Sequence, residues 1–326
     1  MKRAILGLLA AATGAACSDF VPVARELEPG VLAVDTAPGV SLEVLDWGGT
    51  GQPLVLLAGG GHTAHQYDEF APLLADQFRV LGITRRGIGA SSNSSPRSVD
   101  DHVSDVAAVL QALELESAVL VGHSFAGMEM VSFASDYPDE CDALVYLDSA
   151  YDYTDPELGV VLQETPAPLP PAMTAADSAS VEAVRAWSLR TQGFAIPESE
   201  VRATSDIDAT GRVRGRLPST ATQVGPVPPE WGAIECAALG LYAVTAPLQT
   251  WLPHYSDRYE ALSQAEREAA DAYVEAFAAW TAKQREAFAQ HPQNQAVEFP
   301  GSGHYFFLRE PGPVVEVIQR FVLELQ

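Results

Sequence analysis

Residues 119–127 read Val119-Leu-Val-Gly-His-Ser-Phe-Ala-Gly127, and this stretch decides the fold. Its first residues form a short apolar strand, and the residues after the serine begin a helix that runs to about Tyr137. Ser124 sits at the junction, with Gly122 two positions before it and Ala126 two positions after. A strand-to-helix turn this tight strains the backbone of its central residue, and only small neighbours avoid a clash there. The turn lifts the hydroxyl clear of the sheet. It also sets the hydroxyl at a helix N-terminus, where unpaired N–H groups stabilise negative charge. Ser124 is therefore the candidate nucleophile. Glycine and serine are common, so the spacing counts only because a strand precedes it and a helix follows. Ala126 stands where glycine is usual, and Gly127 comes next.

Working outward, the same alternation repeats. Pro53-Leu-Val-Leu-Leu-Ala58 is a continuous apolar run ended by Gly59-Gly60-Gly61, as expected of a strand buried on both faces. Arg79-Val-Leu-Gly-Ile-Thr84 and Ala143-Leu-Val-Tyr-Leu147 read as further strands. Val31–Val34 and Ser41–Trp47 read as two earlier ones around the turn at 37–39. Helices are predicted over 67–78, 99–113 and 125–137. Strands alternating with helices imply crossover connections and a mainly parallel α/β sheet, whose ligands gather at the carboxyl ends of the strands. From about Tyr151 to 233 the pattern breaks: prolines cluster at 166–171 and 218–229, with short helical stretches such as 180–190 between them. This segment is expected to be a cap inserted into one catalytic domain that spans 31–326. The sheet pattern resumes at 237–244. A Ser263-Gln-Ala-Glu266 capping box opens a long helix to about 290, then come a strand over 295–299 and a closing helix over 313–325.

Five ordered motifs carry a resemblance: Asp46-Trp47-Gly48, Leu56-Leu57-Ala58-Gly59-Gly60, Thr84-Arg-Arg-Gly-Ile-Gly-Ala-Ser91, Gly122-His-Ser-Phe-Ala-Gly127 and Gly303-His304. Together they resemble the α/β-hydrolase family, along nearly all of the sequence after the leader. The resemblance implies a sheet of about eight strands and a Ser–acid–His triad in that chain order. It implies Ser124 as nucleophile, His304 as base, and the backbone N–H groups of Phe125 and Gly60 as the oxyanion hole, with Gly61 a near alternative. Ala58 departs from the pattern, since many relatives carry histidine there. Serine at the turn, where dehalogenases and epoxide hydrolases of this fold carry aspartate, points to an acyl-serine intermediate. Such chemistry calls for a small acyl substrate, no cofactor and no metal.

His304 also stands out on its own residues: a strand, a Gly-Ser-Gly turn and a Phe-Phe-Leu-Arg-Glu-Pro stretch surround it near the C-terminal end. His62 and His65 have metal-like spacing but no matching ligand set, and read as solvated loop residues. The acid is open. Thr245 to Ser256 holds no carboxylate, and Asp257 is the first after the 237–244 strand. Asp148 ends the preceding strand directly, where a base-orienting carboxylate would be rigid, and some branches of the family carry it there. Asp148, Asp257 and Asp152 are the candidates, in that order. Arg212, Arg214 and Arg216 read as a solvated run rather than an anion site, and Trp231, Trp251 and Tyr255 as candidate pocket walls. The empty acid position keeps a second class in play, a non-catalytic or sensing relative. Lactone, thioester, aminoacyl or carbon–carbon substrates would change only the leaving group.

The chain has 326 residues, 47% of them hydrophobic, and a formal charge of -24. That surface repels nucleic acid and anionic lipid. Lys2-Arg3, the apolar and small run 4–16, and Cys17-Ser18-Asp19 read as an export signal ending in a lipoprotein-like cysteine. The expectation is a protein exported from a bacterial cytoplasm, periplasmic, lipid-anchored through Cys17, or secreted, with 17–30 as spacer. Cys141 and Cys236 could pair or remain two buried thiols.

Overall fold

The computed structural model describes residues 20–164, 172–244 and 262–325. The leader with Cys17, and Trp251, Tyr255 and Asp257, lie outside the described residues. The strands are β1 (Val23–Glu28), β2 (Val31–Ala37), β3 (Val40–Gly48), β4 (Pro53–Leu57), β5 (Arg79–Ile83), β6 (Ala118–His123), β7 (Cys141–Leu147), β8 (Ser205–Ile207), β9 (Val213–Arg216), β10 (Ala237–Val244) and β11 (Asn294–Pro300). The helices are α1 (Val99–Ala112), α2 (Ala126–Asp136), α3 (Pro156–Glu164), α4 (Val181–Gln192), α5 (Glu198–Thr204), α6 (Gln264–Ala289), α7 (Phe306–Arg309) and α8 (Pro311–Leu323).

A mostly parallel sheet of nine strands runs in the order β1-β2-β3-β5-β4-β6-β7-β10-β11. Every pair from β5 to β11 is parallel, and β1, β2 and β3 join antiparallel. Side chains alternate across the central strands, so each face receives its own core. Val55, Leu57, Leu120, Leu144 and Tyr146 face α1, α2 and α6, where Trp280 and Phe288 are buried. Leu54, Leu56, Val119, Val121, Val145 and Leu147 face Tyr67, Phe70, Phe307, Ile318 and Phe321 on the opposite side. This two-sided burial is why these strands read as unbroken apolar runs.

Three expectations differ from the structure. The ninth strand is β1, within the stretch expected to be a spacer: it is an edge strand exposed along most of its length, so it carries no apolar alternation. The helix expected over 67–78 is instead two short 3-10 turns, Ala64–Tyr67 and Ala71–Leu73. Pro72 lies inside that span and supplies no N–H for an α-helical bond. Trp231 is buried against Tyr146 and Phe288, with ring centroids 5.7 and 5.2 Å away, and belongs to the core rather than to a pocket. The capping box at Ser263 and Glu266 has both of its reciprocal bonds. Between β7 and β10 lie α3, α4, α5 and the β8–β9 hairpin. Cys141, the first residue of β7, and Cys236, the residue before β10, are free thiols with sulfurs 2.8 Å apart.

Candidate active site

Neighbouring strands end at one level and present their last residues together. His123 of β6 lies opposite Leu147 of β7, and Leu147 opposite Leu241 of β10. Ser124 and Asp148 are the residues that follow. The Ser124 N–H donates to the Leu147 carbonyl at 3.3 Å, and the Asp148 N–H to the Leu241 carbonyl at 2.8 Å. Both residues turn sharply there: φ is 53° at Ser124 and 49° at Asp148, the left-handed region that non-glycine residues rarely enter. Such strain persists only where packing enforces it, and it clusters at functional sites.

The packing is visible. Gly127 lies against the backbone of Ser149, where an added Cβ would come within 2.0 Å of the carbonyl oxygen. A Cβ at Gly122 would stand 2.8 Å from that of Ala126, so the fifth position of the motif tolerates alanine because its partner is glycine. Tyr153 donates its hydroxyl to the Ser124 carbonyl at 3.0 Å.

Asp148 is 4% exposed and surrounded by donors. Its Oδ2 accepts from His304 Nδ1 at 2.7 Å, while its Oδ1 accepts from the Ala243 N–H at 3.1 Å and from the Tyr151 hydroxyl. Burial, reinforced by the Asp148 charge, pushes the Tyr151 hydroxyl well above its usual range and keeps it protonated as a donor. An ionised carboxylate only accepts, so Nδ1 is the nitrogen through which His304 donates to it. Asp152 is spent elsewhere: its Oδ1 takes the Thr154 N–H and hydroxyl at 2.8 and 2.5 Å.

The loop after β11 carries His304. His123, fully buried, donates from Nε2 to the His304 carbonyl at 3.0 Å and accepts from Gln66 at Nδ1, 3.3 Å away. Burial, with the charges of His304 and His62, holds His123 well below the usual imidazole range, so it remains neutral. Its ring centroid is 4.4 Å from that of His304, which brings the candidate base beside the serine's own neighbour. No hydrogen bond joins Ser124 Oγ to His304 among the described residues; such bonds often tighten only when substrate is bound.

Gly60 faces Phe125: a Cβ on Gly60 would touch the Phe125 Cβ at 3.5 Å. Neither the Phe125 nor the Gly60 N–H donates to another group among the described residues. Beneath them lies an ion pair that spacing does not reveal. Arg85, 4% exposed, grips Glu129 of α2 at 2.5 and 2.8 Å, reaches the Gly59 carbonyl at 3.4 Å and lies 5.2 Å over the Phe125 ring. It pins both donor segments to one cation. Arg85 sits inside a quoted motif, but nothing in sequence ties it to Glu129.

His62 and His65 are not solvated loop residues, because carboxylates from other segments reach them. His62 bonds Glu200 of α5 at 2.8 Å and the Tyr305 hydroxyl at 3.2 Å. For His65, burial pulls downward, but hydrogen bonds and charge from Asp68 and Glu43 outweigh it and push it up to about 10. The two rings serve different partners.

Residues 52–203 match the family model of the alpha/beta hydrolase fold. Among curated proteins, the bifunctional esterase/perhydrolase of Acinetobacter calcoaceticus is 33% identical over 140 residues, 42% of this chain and 49% of that protein. A carbendazim hydrolyzing esterase of Nocardioides is 35% identical over 125 residues, 37% of this chain and 50% of that protein. The chain thus spans about half the length of the curated relatives it matches. Among solved structures, E-2-(acetamidomethylene)succinate hydrolase superposes with a TM-score of 0.63 at 18% identity, over 92% of this chain and 99% of that one. An alpha/beta hydrolase from Novosphingobium aromaticivorans gives a TM-score of 0.62 at 18% identity, over 94% and 99%.

Proposed function

From the α/β-hydrolase fold and the family match over residues 52–203, we propose that the chain is a serine hydrolase cleaving carboxylic esters or related acyl compounds. Ser124 attacks the acyl carbon as His304 Nε2 takes its proton; Asp148 holds the imidazole in that tautomer and balances the imidazolium. The carbonyl oxygen gains charge between the Phe125 and Gly60 N–H groups, each worth about 3–4 kcal/mol at the transition state. His304 then returns the proton to the departing alcohol, and water repeats the sequence on the acyl-serine.

The observation that carries this reading is the 2.7 Å bond between His304 Nδ1 and the buried Asp148, one strand from a serine at positive φ. A fold retained only for binding has no need of a buried carboxylate that orients an imidazole. Relatives support hydrolysis in general and diverge in substrate, being described as esterase, carbamate hydrolase and fluoroacetate dehalogenase. The segment between β7 and β10 acts in this reading as a cap over the site. Residues 1–16 act as an export signal, with Cys17 as the acylated end; palmitate labelling lost in Cys17→Ser tests the anchor.

Turnover of short p-nitrophenyl esters tests the activity. Native protein hydrolyses them, and Ser124→Ala and His304→Ala each lose about 10⁴-fold or more in kcat. Folded native protein without turnover, or variants that retain it, would remove the proposal.

A further inference from the structure

A cavity of about 500 Å³ lies among α4, α5 and the β8–β9 hairpin, a size that takes a small organic ligand. Val184, Trp187, Phe194, Ile196 and Val213 give it apolar walls. Ser124 and His304 are not in its lining; it meets the site at His62 and at Tyr305, the residue after the base. Tyr305 and His62 are joined by their own hydrogen bond, so this end of the cavity is rigidly tied to the His304 loop.

One polar group in the lining is left over. Arg216, from the basic run that reads as solvated in sequence, forms no ion pair among the described residues and donates only to the carbonyl of Gly61, beside Gly60. The other charged side chains there have hydrogen-bond partners of their own. Arg214 pairs with Asp208 at 3.2 Å. Glu200 accepts from the Thr63 N–H at 3.2 Å, from the Thr63 hydroxyl at 2.5 Å and from His62 at 2.8 Å. One uncompensated guanidinium therefore edges an apolar cavity in a chain of charge -24. Guanidinium geometry suits a carboxylate, which it can bind through two parallel bonds.

Resting on the esterase reading, we infer that this cavity selects substrates with a free carboxylate on an apolar body, with Arg216 binding the carboxylate. The remainder of the substrate extends past Tyr305 toward the serine.

The test compares the mono-p-nitrophenyl ester of adipic acid with p-nitrophenyl hexanoate, which has the same chain without the carboxylate. Native protein favours the adipate ester in kcat/KM by about fivefold or more, the scale of one exposed ion pair, and the preference sits in KM and fades with salt. Arg216→Met abolishes that ratio and Arg216→Lys restores part of it. Equal use of the two esters by native protein, or a ratio unchanged in Arg216→Met, overturns the inference. If neither ester is hydrolysed, the esterase reading fails separately, and calorimetry with adipate on Ser124→Ala decides the cavity by itself. Binding weakened at least about fivefold by Arg216→Met supports the anchor, and absence of adipate binding overturns it.

Discussion

At the scale of single residues, the account turns on what Asp148 does to one imidazole. Its carboxylate accepts from Nδ1 of His304, and in the proposed mechanism this leaves Nε2 to take the serine proton. In Asp148→Asn the amide oxygen can still accept from Ala243 and Tyr151, but the amide nitrogen then donates toward Nδ1. The imidazole is driven to carry its proton on Nε2, where it cannot receive another. We expect kcat to fall by about 10⁴ with little change in thermal stability, since every bond is replaced by one of similar shape. Stopped-flow ester hydrolysis beside a melting curve checks this, and a loss of less than about tenfold would assign the orienting role elsewhere. Ser124 and Asp148 were legible as positions because each directly follows an apolar strand, and His304 because a strand and a Gly-Ser-Gly turn precede it; Asp148 remained one of three candidate acids. Tyr153 and Glu129 were not legible: their partners, Ser124 and Arg85, lie on other elements, and no local pattern records such a pairing.

At the scale of elements, the strand-turn-helix unit works because glycines let β6, α2 and the end of β7 approach closely, Gly122 taking the Met130 and Ala126 side chains and Gly127 the Ser149 backbone. Gly127 marks the closest approach. In Gly127→Ala the new methyl meets the Ser149 carbonyl oxygen at 2.0 Å and its carbon at 3.0 Å. Both atoms are backbone, so the first turn of α2 must shift, carrying the Phe125 N–H with it. The expected cost is about 1–3 kcal/mol of stability together with a fall in kcat. Gly159→Ala in α3 is the contrast: its Cβ would meet nothing within 4 Å. Removing a helical glycine there should be neutral or stabilising by up to about 1 kcal/mol. Urea unfolding of the two variants reads both values, and equal effects would refute the close-approach argument. Elements buried on both faces, β4, β6 and β7, were plain in sequence because two-sided burial demands unbroken apolar residues. The exposed edge β1 and the short, arginine-bearing β8–β9 hairpin left no such trace, and Pro72 undid a helix that apolar spacing alone suggested.

For the whole molecule, the site exists only when three distant parts of the chain fold together: the β6–α2 turn, the end of β7 and the loop after β11. A hydroxyl in an unfolded chain has no base to take its proton and no paired N–H groups to hold an oxyanion. The covalent reactivity proposed for Ser124 would thus be a property of the assembled sheet, and it should vanish in denaturant and return on refolding. The most direct measurement is labelling of the folded protein with a fluorophosphonate, followed by intact and peptide mass spectrometry. The account predicts one adduct per chain, carried by the peptide that contains Ser124, absent from Ser124→Ala and slowed in His304→Ala. Folded protein that takes up no label, or label that persists on Ser124→Ala, would contradict it.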